Sequence, residues 1–273
     1  MIKDILEVCK INHYIKNFLI LFPLILNLKS VNWQIISDVF FVFFAFCFIS
    51  SAVYILNDIS DIKEDRLHPI KCTRPIANGR ISKKLGIVIL IFLVFLSVIF
   101  SAQVNLFCVF CILGYFILNI FYSLFLKNIV VVDVFSIALG FIFRILAGFA
   151  ALNIKPAFWI IVLTFFFSGF FVCLKRKLEL QYFYKSDKGR KTLQKYTMPL
   201  INTLIIICAI FSLIFYLFCM TDKIYSAIPF MAIILRMFYL VSKENSDNIM
   251  CLIRRDKILI ALIILYFIVL IRN

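Results

Sequence analysis

Apolar and polar residues are not interleaved along this chain; they come in long blocks. Runs of Ile, Leu, Val and Phe cover roughly residues 17–30, 36–56, 85–103, 104–126, 130–152, 157–174, 199–221, 223–242 and 257–271, and charged stretches separate them. About 20 apolar residues cross the hydrocarbon core of a bilayer as a helix. A helix satisfies its own backbone groups in lipid, whereas a lone strand does not. The pattern predicts an all-α, polytopic membrane protein with about nine transmembrane helices, residues 1–273 forming a single integral-membrane domain.

Composition strengthens that reading. Hydrophobic residues make up 64% of the 273, and charged residues only 16%, against about a quarter in soluble domains. The opening MIKDILEVCK mixes acidic with basic residues and lacks a small-residue cleavage site, so it does not read as a signal peptide. Nine Cys are scattered, mostly inside apolar runs. Cys108 and Cys111 have C-x-x-C spacing, but within a membrane helix they read as small buried apolar side chains rather than a redox or metal pair.

The net charge is +15, which in a soluble protein would suggest nucleic acid. Here the membrane sorts it. Nine spans with the N-terminus on one side put residues 1–16, 57–84, 127–129, 175–198 and 243–257 on that same side. Every Lys and Arg falls there except Lys29, Lys155, Lys223 and Arg272 opposite, and Arg144 and Arg236 inside helices. The positive-inside rule makes that side, and the N-terminus, cytoplasmic. The lipid bilayer, not nucleic acid, is the expected partner.

Topology does not explain NDISDIKEDRLHPIKCTRPIANGR, residues 57–80, where acidic residues crowd among the basic ones. Asp58, Asp61 and Asp65 stand at i, i+3 and i+7, within about 60° of one another on a helix. Asn57 flanks them and Glu64 projects elsewhere. Three carboxylates on one face repel and need a cation. All-oxygen donors suit Mg²⁺, which shares its remaining positions with substrate phosphates; an ordinary acidic loop patch is the alternative. His68, Lys71, Arg74 and Arg80 follow as anion partners, with Pro69, Pro75 and Gly79 shaping the turn. Alternating carboxylate, metal and basic side chain leaves a place for a diphosphate.

Other polar residues lie in or beside the apolar runs. Asn119, Tyr122, Ser123 and Lys127 share a stripe at the cytoplasmic end of the fourth helix. Asp133 opens the fifth, near enough to the surface to join a metal or donor site. Arg144 lies deeper on nearly the same face, and Arg236 sits in the eighth. An Arg in the bilayer costs about 2.5 kcal/mol or more, so each should face the interior and have a partner, whether in a substrate site or a structural network. Lys16 at the mouth of the first helix reads by default as a topology anchor.

N-D-x-x-D-x-x-x-D at 57–65 and R-P-x-x-x-G at 74–79 resemble the first signature of the UbiA superfamily of intramembrane prenyltransferases, which are nine-helix enzymes. The ordinary members carry a second aspartate-rich motif after the sixth helix. Here that place reads LKRKLELQ, with Lys175, Arg176, Lys177 and Glu179. Three cations ask for a phosphate rather than a second Mg²⁺. HPIKCTRPIANG, YIKN at 14–17, YSLFLK at 122–127 and DVFSIALGFIFRILAG at 133–148 are similar to the decaprenyl-phosphate phosphoribosyltransferase branch, with ILRMFYL and RRDK a looser match.

That resemblance implies a Mg²⁺-dependent pentosyltransferase of the bacterial plasma membrane. It would move 5-phosphoribosyl from phosphoribosyl diphosphate to a polyprenyl phosphate on the cytoplasmic side, and its product would feed cell-wall polymer synthesis. Asp58, Asp61 and Asp65 would hold the metal, and Lys71 and Arg74 the diphosphate. Lys175, Arg176 and Lys127 would take the 5-phosphate, and Lys16 the lipid phosphate. Asn57, His68, Tyr122, Ser123, Asp133 and Arg144 would complete substrate binding. The acceptor is already anionic, so no strong general base is expected. The rival within the family moves a prenyl group from its diphosphate to an aromatic acceptor and predicts a second acidic cluster. A transporter would need charge reaching both faces. Whether the chain forms a homo-oligomer is left open by the sequence.

Overall fold

The computed structural model describes residues 2–28, 31–67, 71–186, 195–243 and 249–272, and every helix or turn of regular structure among them is α or 3-10, with no strand. The chain opens with α1 (Ile2–Cys9), a 3-10 segment (Ile11–Leu21) and α2 (Phe22–Leu26). Then come α3 (Trp33–Ser60), α4 (Ile62–Leu67), α5 (Lys83–Ala102), α6 (Leu106–Leu124), α7 (Val132–Ala151) and α8 (Phe158–Ser186). α9 (Met198–Cys219), α10 (Ala227–Lys243), α11 (Ile249–Arg255) and α12 (Lys257–Arg272) complete it. Polar caps start four of the long helices: side chains of Asn32, Ser82, Asn105 and Thr197 accept the N–H of the third residue on, relieving one of the orphan donors of the first turn.

Among the described residues, seven stretches are long and apolar enough to cross a membrane: 33–60, 83–102, 106–124, 132–151, 158–181, 198–219 and 221–243. Two shorter apolar stretches, 11–26 and 257–271, join them. This is the expected multi-pass, all-α architecture of about nine spans. Ile91, Phe92, Phe95, Phe107 and Phe110 stand exposed along α5 and α6, as lipid-facing side chains do.

Three boundaries differ from expectation. The first apolar stretch lies at 11–26 rather than 17–30 and is 3-10 before it is α, with Pro23 in the first turn of α2. The second helix runs past residue 56 to Ser60 and so carries Asp58. The sixth does not end at 174; α8 continues to Ser186, so LKRKLELQ is helix, not loop. Hydropathy marks where a helix is greasy, while Lys, Arg, Leu, Glu and Gln keep it helical beyond that.

By its contacts the chain forms two compact units, Met1–Leu126 with Phe143–Lys155, and Lys127–Ile142 with Pro156–Asn273; the division falls inside α7. In the first unit α3 is central, touched by α1, the 3-10 segment, α5 and α6. Phe46, Ile49, Ala52 and Ile55 of α3 pack with Ile112 of α6 and Ala147 of α7. Lipid is as apolar as these side chains, so close packing rather than exclusion of water binds the helices. Gly148 shows how close: a Cβ there would stand 2.4 Å from the Ile20 carbonyl oxygen.

In the second unit α8 and α9 are joined by stacked rings, Phe166 on Phe211 at 4.7 Å and Trp159 on Phe218 at 5.2 Å between centroids. Tyr216 of α9 stacks on Phe230 of α10 at 4.0 Å, and its hydroxyl pairs with Ser226 Oγ at 2.6 Å.

Candidate functional site

The acidic segment is a broken helix. Ser60 Oγ lies 2.9 Å from the Asn57 carbonyl, which also accepts the Asp61 N–H at 3.0 Å, and 3.1 Å from Asp61 Oδ1. α3 ends there, Asp61 caps it, and α4 begins at Ile62. Asp58, Asp61 and Asp65 therefore do not share the face of one continuous helix. Asp58 and Asp65 still converge, because Arg74 Nη1 lies 3.0 Å from Asp58 Oδ1 and 2.7 Å from Asp65 Oδ2. Both carboxylates are almost wholly buried, at 2% and 3% exposure. Among the described residues Arg74 makes its bonds through Nη1 alone.

A second cation completes the charge balance. Lys10 Nζ lies 2.7 Å from the same Asp58 Oδ1. Burial pulls the Lys10 ammonium below its ordinary pKa, and Asp58 pulls it partly back. Asp58 Oδ2 is buried without a hydrogen-bond partner among the described residues. Arg80 ties α1 to this loop: Nη1 donates to Asp4 Oδ1 at 2.6 Å, and Nη2 reaches Glu7 Oε1 at 3.2 Å and the Thr73 carbonyl at 2.7 Å. Arg66 Nε bonds the Ala77 carbonyl at 2.9 Å, and Gly79 takes the turn at φ +84°.

Ser123 Oγ donates to Asn57 Oδ1, with the Asn119 carbonyl as its alternative acceptor at 2.8 Å. Tyr122 is half-buried beside it on α6. α6 stops at Leu124, and Lys127 sits on a separate 3-10 turn, Leu126–Asn128, so the stripe of four does not continue as one helical face. Asp61, Lys16 and Lys71 are half-buried. His68 and Pro69 lie outside the described residues.

Among the described residues no three of His, Cys, Asp and Glu are grouped to hold a metal ion. The donor chemistry nonetheless fits a hard divalent cation. Two buried carboxylates converge, all donors are oxygen, and among the described residues Asp58 Oδ2 is the one buried carboxylate atom left unmatched. Asp58 and Asp65, with Asp61 between them in sequence, are the residues that would hold it.

The residues of the second unit form their own network. Asp133 is fully buried; Arg176 Nε donates to its Oδ2 at 2.8 Å and the Tyr196 hydroxyl to its Oδ1. Val131 N–H bonds the Tyr196 oxygen at 2.8 Å, holding Val131 at φ +71°, a strained conformation for a β-branched residue. Arg176 also pairs with Glu179. Lys177 is buried, its ammonium 5.1 Å from the Phe238 ring centre. Lys175 is exposed, 3.6 Å from Glu179. Burial and the Asp133 bond raise the Tyr196 hydroxyl pKa above its ordinary value.

The intramembrane arginines have partners within their own units. Arg144 Nε donates to Asn17 Oδ1 at 2.8 Å, and its Nη2 to the Tyr115 hydroxyl at 3.0 Å, with Ser50 Oγ at 3.4 Å. Its guanidinium carbon is 4.6 Å from the Tyr115 ring centre. Arg236 makes a two-pronged pair with Asp256, at 2.6 and 3.2 Å.

Sequence reasoning missed Lys10, Tyr196 and the partners of Arg144. Asn17 had a signal, since it closes the YIKN stretch. Lys10 and Tyr196 had none: one is a lone cation in a mixed-charge terminus, the other a tyrosine in a basic connection.

Comparison with known proteins bears on the whole chain. The model of the UbiA prenyltransferase family matches residues 19–268. The decaprenyl-phosphate phosphoribosyltransferase of Corynebacterium glutamicum is 33% identical over 189 residues, covering 67% of this chain and 57% of the relative. That of Mycolicibacterium smegmatis is 28% identical over 202 residues, covering 72% and 64%. The match thus spans less than two thirds of these relatives' own length. Among solved structures, a UbiA homolog from Archaeoglobus fulgidus bound to GPP and Mg²⁺ superposes with a TM-score of 0.76 over 99% of this chain and 100% of that one. At 18% identity, that likeness shows the fold.

Proposed function

This chain belongs to the UbiA prenyltransferase family, and from that premise we propose that it is a Mg²⁺-dependent transferase. It moves 5-phosphoribosyl from phosphoribosyl diphosphate to a polyprenyl phosphate of the decaprenyl type, with release of diphosphate at the cytoplasmic side of the membrane. The observation that carries this reading is the convergence of buried Asp58 and Asp65 on Arg74 Nη1, with Asp58 Oδ2 unpartnered. Two curated relatives named decaprenyl-phosphate phosphoribosyltransferase support the donor and acceptor. The sixth-span stretch adds weight against an ordinary prenyl donor, since its one acid, Glu179, is spent on Arg176 and Lys175.

In this reading an oxygen of the lipid phosphate attacks C1 of the ribose. The C1–O bond to diphosphate breaks, and the diphosphate leaves with the electron pair. The acceptor oxygen carries no proton to remove, so positioning and charge stabilisation are the work of the site. Asp58, Asp61 and Asp65 would hold Mg²⁺, which when bound would neutralise charge on the departing diphosphate. Arg74 keeps the acids together through Nη1 and offers its remaining N–H groups to diphosphate oxygens, with Lys71 beside it in sequence. His68 orients the diphosphate. Asn57, Ser123 and Tyr122 give a hydroxyl- and amide-lined flank. Lys16 holds the lipid phosphate. Lys127, Lys175 and Arg176 are assigned to the 5-phosphate from sequence alone, and Asp133 positions Arg176. Arg144 secures the helices that carry Asn17 and Tyr115.

The test is transfer by the purified chain in liposomes. Ribose-labelled phosphoribosyl diphosphate with polyprenyl phosphate should give lipid-extractable label, dependent on Mg²⁺ and lost in Asp61→Ala. Label entering an aromatic acceptor from a prenyl diphosphate, with none from the ribose donor, would establish the rival reading instead.

A further inference from the structure

We propose that Lys10 is a working part of this site: its ammonium is the exchangeable counter-ion of Asp58, yields that carboxylate to a divalent cation, and then contacts the diphosphate. The inference rests on reading the Asp58–Asp65 face as a metal–diphosphate site.

The carboxylate of Asp58 is loaded unevenly. Oδ1 accepts both Lys10 Nζ at 2.7 Å and Arg74 Nη1 at 3.0 Å, while buried Oδ2 accepts nothing from the described residues. The two cations balance the two buried acids. A divalent ion reaching Oδ2 would meet the Lys10 ammonium across one carboxylate, and like charges so close in a partly buried place repel strongly. Arg74 is bound also to Asp65, so Lys10, held by one carboxylate, is the cation free to exchange. Its four-carbon stem lets the ammonium move while the backbone stays.

The backbone is arranged to stay. Arg80 clamps α1 to the loop through Asp4 and Glu7. Lys10 itself turns the chain into the 3-10 segment in the left-handed region, φ +49°. A non-glycine residue in that conformation is strained, and strain of this kind is retained where the side chain is needed. The ammonium also lies 5.3 Å from the Tyr54 ring centre, whose face can hold it beside the carboxylate. Released from Asp58, it remains within reach of any anion the metal brings.

The test uses the full chain in detergent with Mn²⁺ as the probe and no sugar or lipid substrate. Free Mn²⁺ is read by electron paramagnetic resonance. Lys10→Met should bind Mn²⁺ about tenfold tighter, and Lys10→Arg, which keeps the ion pair, close to wild type. In an Asp58→Asn background the Lys10→Met gain should vanish. Inorganic diphosphate titrated onto the Mn²⁺-loaded chain should bind Lys10→Met about tenfold more weakly. Lys63→Met, removing an exposed cation of α4, should alter neither affinity. Thermal melts identify any variant that fails to fold, in which case Lys10→Gln replaces Lys10→Met. Unchanged or weaker Mn²⁺ binding, or unchanged diphosphate binding, overturns the proposal. Neither titration involves ribose or lipid, so failure of phosphoribosyl transfer is read separately.

Discussion

Asp65 and Arg74, nine residues apart, meet at 2.7 Å, and the same guanidinium nitrogen reaches Asp58 at 3.0 Å. One hydrogen-bonding group thus bridges the two sides of the helix break at Asp61. Arg74→Ala should release Asp58 and Asp65 to repel one another. We expect an unfolding free energy lower by about 2 kcal/mol, below the range for a fully buried pair because Arg74 keeps 30% side-chain exposure. Transfer should fall roughly hundredfold, as when one preorganised donor is removed. Arg74→Lys should recover stability in part and activity little, since a point charge cannot serve both acids and a ligand. Detergent melts and the transfer assay check both.

Arg144 and Asn17 define a separate, structural prediction. Arg144→Met removes the donor to Asn17 Oδ1 and leaves the Tyr115 hydroxyl short of a partner. It should cost about 2 kcal/mol. Asn17→Ala in the Arg144→Met background should add less than it does alone, with a coupling of about 1 kcal/mol. Additive losses in the thermal double-mutant cycle would show that the two do not act as one network.

Asp133 predicts the reverse of a ligand residue. Asp133→Asn keeps an acceptor for Tyr196 but takes the charge from beside Arg176, which is 5% exposed. Stability should fall by about 3 kcal/mol, while Mn²⁺ affinity of the full chain stays unchanged. Tyr196→Phe should cost about 1 kcal/mol by stranding the Val131 N–H. A loss of Mn²⁺ binding in Asp133→Asn would assign Asp133 to the metal instead.

The Arg236–Asp256 pair gives a pH dependence. The Arg236 bond holds the Asp256 carboxyl below its ordinary value of 3.8. A carboxylate depressed in the folded state adds stability that is present above the unfolded pKa and lost as pH falls through the folded one. The melting-point gap between wild type and Arg236→Met should therefore be full above pH 3.8 and shrink below it. A gap that widened in acid would contradict the assignment.

Much of this molecule was legible before its structure. The apolar blocks gave the spans, because only length and grease decide whether a segment crosses a bilayer. Asn57–Asp65 and Arg74–Gly79 marked the candidate site by spacing. Three things were not legible. The helix break at Asp61, where the backbone leaves α-helical angles at φ −99° and ψ 9°, is a local departure that the i, i+3, i+7 pattern does not register. The length of α8 depends on helix formers that hydropathy counts as loop. The partners of Asp58, Asp133 and Arg144 come from 48, 63 and 127 residues away in sequence, and such pairs are set by packing.

The central claim is that the acidic face at 57–80 grips the departing diphosphate. A structure of the chain in nanodiscs with Mn²⁺ and phosphoribosyl diphosphate, phased to show the metal's anomalous signal or resolved by electron microscopy, tests it most directly. The ion is expected on Asp58 and Asp65, with diphosphate oxygens against Arg74 and Lys71. Donor density elsewhere, or an ion-free acidic face with donor bound, would contradict it.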